Sequence, residues 1–90
     1  MKFVLNRCYG GFSLSTWALE QLGVKYTGDV DRDDNPDLIK LVEENAEKAS
    51  GRHSKLKVIE IPDSTTDYEL HEYDGFESIT YVVDGKIHHA

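Results

Sequence analysis

Two Asp-Gly pairs, Asp74-Gly75 and Asp84-Gly85, constrain this chain more than any other feature. A two-residue hairpin needs positive φ at both central positions, and Asp-Gly accepts that at little cost. Each pair lies between strand-like runs. Tyr68 to Tyr73 alternates as a half-exposed strand does, Phe76 to Val83 returns, and Lys86 to His89 follows as a last edge strand. The C-terminal part is therefore expected to be an antiparallel meander.

The remainder mixes helix and strand signals. Phe3 to Asn6 reads as a short buried strand. Leu14, Trp17, Ala18 and Leu22 recur on one helical face, with Ser13 or Ser15 as cap and Gly23 as stop. Val24 to Thr27 alternates and is a candidate second strand. Asn35-Pro36 marks a second helix start, since proline at the first helical position loses no hydrogen bond. Leu38, Leu41, Val42, Ala46 and Ala49 form its apolar stripe, and Gly51 its end. Leu56 to Ile61 is apolar at its centre and is expected inside a sheet, with Pro62-Asp63 breaking it. The order predicts an α+β domain: two helices on one face of a mixed four- to five-stranded sheet, closed by the antiparallel meander.

Ninety residues make one domain, residues 1–90, with a modest core. A net charge of -7 argues against general nucleic-acid binding, which needs lysine and arginine to displace counterions, and favours basic partners. A lone cysteine makes no internal disulfide, so a reducing compartment is expected. No apolar run approaches a membrane span and the N-terminus lacks the apolar core of a signal peptide, so the expected location is cytoplasmic.

The stretch from Asn6 to Ser15 holds the richest chemistry. Cys8 precedes a predicted helix, where amide dipoles lower a thiol's pKa. A phosphatase loop needs arginine six positions after its cysteine, and Leu14 stands there; a redox pair needs a second cysteine at Gly11. A buried structural cysteine is the favoured reading. Gly10-Gly11 permits close backbone approach to an anion, with Arg7, Cys8, Ser13 and Ser15 beside it, Tyr9 or Phe12 to stack on a base, and Arg52 as a further cation. The spacing fits neither a P-loop nor a dinucleotide fingerprint, and a tight turn alone also accounts for the glycines.

Other clusters fail on geometry. Asp29, Asp31 and Asp33 open like a calcium loop, but Asp34 replaces the required glycine and Lys40 the bidentate glutamate. The histidines are scattered, and His88 and His89 point to opposite faces of a strand. Glu69, Glu72 and Glu77 resemble a glycosidase carboxylate set, yet so small a domain leaves little room for a sugar cleft. No metal or cofactor is expected.

Cys-Tyr-Gly-Gly-Phe-Ser-Leu-Ser after an N-terminal strand occurs here with Arg32-Asp33-Asp34, Pro36-Asp37-Leu38, Gly51-Arg52, Leu56 to Pro62 and Glu72-Tyr73-Asp74-Gly75. The combination resembles a family of small, uncharacterised bacteriophage and prophage proteins, over roughly Lys2 to Phe76. The resemblance implies a phage origin and the host bacterial cytoplasm; it implies no activity.

Three functions follow, in order. The first is a non-enzymatic phage accessory protein that binds and inhibits a host macromolecule such as a defence nuclease, an anti-CRISPR-like role. Asp29, Asp31, Asp33, Asp34, Glu43, Glu44 and Glu47 would occupy a basic groove. The second is a nucleotide or phosphate-metabolite binder at Arg7, Cys8, Tyr9, Gly10, Gly11, Ser13 and Arg52. The third is a thiol or redox protein at Cys8. Expected partners are a host protein, a phosphate ligand or a second copy of the chain, with no membrane and no direct nucleic-acid contact.

Overall fold

A computed structural model describes residues 1–32 and 35–90. The domain is α+β, and the described residues form five strands: β1 (Lys2–Asn6), β2 (Leu56–Glu60), β3 (Asp67–Tyr73), β4 (Phe76–Val83) and β5 (Lys86–His89). Two α-helices, α1 (Thr16–Leu22) and α2 (Pro36–Ala49), lie between β1 and β2, with a 3-10 turn at Thr27–Asp29.

The meander is as expected. Asp74 and Gly75 have φ of 51° and 88°, and Asp84 and Gly85 have 51° and 75°, so both turns are the mirror-image type that matches strand twist. The first brings Tyr73 opposite Phe76, and the second brings Val83 opposite Lys86.

The strands divide into two antiparallel sheets, β1-β2 and β3-β4-β5, in place of one mixed sheet. Side chains explain the division. Val4 pairs with Val58 across the ribbon, but its carbonyl accepts from the Arg32 guanidinium at 3.0 Å. The Asn6 amide donates to the Glu77 carboxylate at 2.8 Å. Two side chains thus take groups on the β1 edge that a backbone ladder would otherwise use.

The ribbon is covered on both faces. Val4 and Leu56 join Leu14, Ala18, Leu38, Val42 and Ala49 in a core under the helices. Leu5 and Ile61 join Ile79 of the meander in a second core, flanked by Phe3, Ile59, Tyr81 and Ala90. Successive residues of β1 therefore feed different cores, as the two-residue period requires. The apolar run of β2 has the same cause. It sits at the edge of a two-stranded sheet, and burial comes from its two covers.

Helix ends follow the sequence closely. Ser15 caps α1 by accepting from the Ala18 amide at 3.1 Å, and Gly23 closes it with φ of 71°. Asn35 caps α2 by accepting from the Leu38 amide at 3.1 Å. Val24 to Thr27 is not a strand. The Val24 amide bonds back to the Leu19 carbonyl, and this helix-ending motif turns the chain into the 3-10 segment. The stripe of α2 is interrupted too: Asn45 leaves helical geometry (φ -146°, ψ 52°), and Ala46 is exposed while Ala49 is buried. Ser50, ahead of Gly51, stands at the cap of α2.

Candidate functional site

Asn6, at the end of β1, is the only buried polar residue among those described and is 0% exposed. Its amide nitrogen donates to the Cys8 carbonyl at 2.8 Å and to the Gly75 carbonyl at 2.7 Å. Its amide oxygen accepts from the Lys55 backbone at 2.8 Å. One side chain thus joins β1, the glycine turn, the loop before β2 and the β3–β4 hairpin, with its hydrogen-bonding capacity in use.

The glycine turn is packed by backbone. A Cβ on Gly10 would stand 1.6 Å from the His53 carbonyl oxygen. A Cβ on Gly75 would stand 2.3 Å from the Gly11 nitrogen, and Gly11 itself has φ of 89°. Ser13 continues the seam: its carbonyl accepts from the Gly51 amide at 3.0 Å and the Ser54 hydroxyl at 2.7 Å. Arg7 lies over the Phe76 ring, 4.7 Å from its centroid, and donates to the Glu77 carbonyl at 3.0 Å. Tyr9, 70% exposed, also meets this ring, its own centroid 5.5 Å from that of Phe76. Arg52 is exposed beside His53.

The thiol reading changes in two respects. Cys8 is half-buried, and α1 begins only at Thr16, so the thiol is not at a helix N-terminus. Its sulfur donates to the His53 carbonyl at 3.1 Å and lies 3.5 Å from the Asn6 side-chain oxygen. Arg7, Cys8, Gly10, Gly11 and Ser13 are therefore brought together as a junction, with Tyr9 and Arg52 on its surface. Ser15 takes the Ala18 amide in the first turn of α1, which removes that donor from the proposed anion cradle.

A second group was not legible as a site. Arg32 grips Glu77 with both nitrogens, at 3.0 Å and 2.7 Å, and its guanidinium lies 3.6 Å from the Phe12 ring centroid. A forked pair that also satisfies the Val4 carbonyl and the Asn6 amide orients all four groups at once. Beside it is a cleft of about 360 Å³ between β1 and the meander, lined in part by Phe3, Leu70, His71 and Glu72. Of the three glutamates that suggested a carboxylate set, Glu72 and Glu77 are cross-strand neighbours, while Glu69, an odd step away, faces the opposite side.

The acidic residues are placed differently. Asp29, Asp31, Glu43, Glu44 and Glu47 are exposed; Asp33 and Asp34 lie outside the described residues. Lys2 donates to Glu43 at 3.0 Å, and that hydrogen bond, with the carboxylate's charge, raises the lysine pKa above its ordinary 10.5. Arg32 is the one cation in the sequence between Asp29 and Asp37, and it turns inward to Glu77. Among the described residues no group of histidine, cysteine and carboxylates has metal-binding geometry, and no helix is long and apolar enough to cross a membrane. No family model, curated protein or solved structure matches the chain.

Proposed function

We propose that this protein is a non-enzymatic phage or prophage accessory protein that binds, and by occupancy inhibits, a basic surface on a host macromolecule such as a defence nuclease. The supporting observation is the exposed acid set running from the connector onto α2. Glu43, Glu44 and Glu47 stand on a helix whose other side is anchored by Leu38, Val42 and Ala49. Arg32, the one cation in the sequence between Asp29 and Asp37, is engaged by Glu77, while Lys2 pairs with Glu43 at the α2 end of the set. Carboxylates presented along one helix suit a groove built for phosphates, and they speed encounter as well as binding. The glycine turn supports the phosphate-binding alternative less well, because its backbone is packed against His53 and Gly75.

The test uses host proteins retained on heparin, a fraction enriched in basic grooves, passed over the immobilised protein. A partner should bind at about 0.1 M salt and elute well below about 1 M, where screening is nearly complete. The E43K/E44K/E47K variant should lose it. A partner that binds this variant equally well, with unchanged salt dependence, overturns the reading.

A further inference from the structure

The geometry of β3 points to a second function, self-association: we propose that two copies pair their β3 strands antiparallel about a two-fold axis at Leu70. All seven residues of β3 are exposed. The strand contains no proline, glycine or lysine, the residues that most often blunt an edge. Among the described residues no strand pairs with its outer edge. Tyr68 is 45% exposed and Leu70 48%, a large apolar surface for an unpaired edge. The other edge, β5, has only four residues, among them Lys86, His88 and His89, and is better protected.

The hairpin restricts the register. Tyr73 and Phe76 flank the two-residue turn and form its hydrogen-bonded pair, so odd-numbered residues of β3 direct their backbone groups to β4. Tyr68, Leu70 and Glu72 direct theirs outward. A second β3 must therefore oppose even residues to even residues. Side chains then choose among these registers. With Leu70 opposite Leu70 of the second copy, Glu69 opposes His71 twice and Tyr68 opposes Glu72 twice. Sliding by two residues sets Glu69 against Glu69, or His71 against His71, across the axis. The Leu70 register matches a carboxylate with an imidazole on both sides and engages the whole strand, with about six interchain backbone hydrogen bonds. His71 Nε2 already meets the Thr80 hydroxyl at 2.8 Å, which holds the ring over the sheet and leaves the other ring nitrogen for the carboxylate. The result is a continuous antiparallel sheet, β5-β4-β3 from each copy, roofing the cleft beside Leu70 and Glu72.

Sedimentation equilibrium on the full chain tests this. The wild type should show a concentration-dependent monomer–dimer equilibrium by about 100 µM. Leu70→Lys sets two charges face to face at the axis and should raise the dissociation constant about tenfold or more. Glu69→Lys should weaken the dimer similarly, and E69K/H71E, which exchanges the two charges, should restore it. The register is read in a Cys8→Ser background by mixing Glu69→Cys chains with His71→Cys chains. Disulfide dimers should form in the mixture and far less in either chain alone. A wild type monomeric at that concentration, a dimer indifferent to Leu70→Lys, or cross-linking as strong in one variant alone overturns the proposal.

Discussion

Asn6 does for the chain reversal what several residues usually share. Its amide both donates and accepts, so no isosteric substitution preserves the set. Asn6→Asp replaces two donors by carboxylate lone pairs facing the Cys8 and Gly75 carbonyls. We expect a loss of about 3 kcal/mol or more, measured as a lowered urea midpoint and partly relieved at acid pH, where the carboxyl regains a proton to donate. Glu77 is the second pivot, its side chain 14% exposed against 35% for Arg32. Glu77→Gln should cost about 2 kcal/mol, because Arg32 keeps its charge and loses its counter-ion. Gly10 and Gly28 form a third, paired test. Gly10→Ala drives a methyl into the His53 carbonyl and should cost about 3 kcal/mol, whereas Gly28→Ala meets nothing within 4 Å and should be neutral or slightly stabilising. The joint roles of Asn6, Arg32 and Glu77 were not evident from spacing. An asparagine ending a strand, an arginine within an acidic run and a glutamate after a turn look ordinary until long-range folding brings them together.

At the level of elements, local signals were the readable ones. Asn35-Pro36 predicted the start of α2, and the cap is present. Asn35→Ala should cost about 1 kcal/mol, seen in thermal melts as a lower midpoint without loss of folded helicity. Both Asp-Gly turns were legible for the same reason: a positive φ is a demand on two neighbouring residues, and those residues declare it. Sheet membership was not legible. The run from Leu56 to Ile61 is as apolar as an interior strand, and only the meander on one side and α2 on the other show that two covers, not two neighbouring strands, bury it. The break at Asn45 also escaped periodicity, since five apolar positions fit an unbroken helix whether or not one turn is displaced.

For the whole molecule, surface charge pairs join distant parts and give pH a defined direction. The N-terminal ammonium donates to Asp63 at 2.9 Å, and this hydrogen bond, with the ammonium's charge, lowers the Asp63 pKa below its ordinary 3.8. A depressed acid contributes stability that is present above its unfolded pKa and lost as pH falls through the folded one. Asp63→Asn should therefore flatten the acid limb of the stability–pH curve by slightly lowering stability in the neutral region, with little change below the folded pKa. Lys2 runs the opposite way: its raised pKa gives a contribution present below 10.5 and lost as pH climbs past its folded value. Both groups are solvent-exposed, so added salt should shrink both effects.

The Asn6-to-Gly75 bond spans 69 positions of the chain, while the β3–β4 and β4–β5 hairpins close over two residues each. Local hairpins form in microseconds, and distant pairings wait for loop closure. On a ribosome, β1 is synthesised early yet has no complete surroundings until the Asp74-Gly75 turn has left the exit tunnel. Of the five strands described, β1 is translated before the other four yet is among the last to be locked in place, and the apolar Phe3-Val4-Leu5 run must be kept from other chains during that interval.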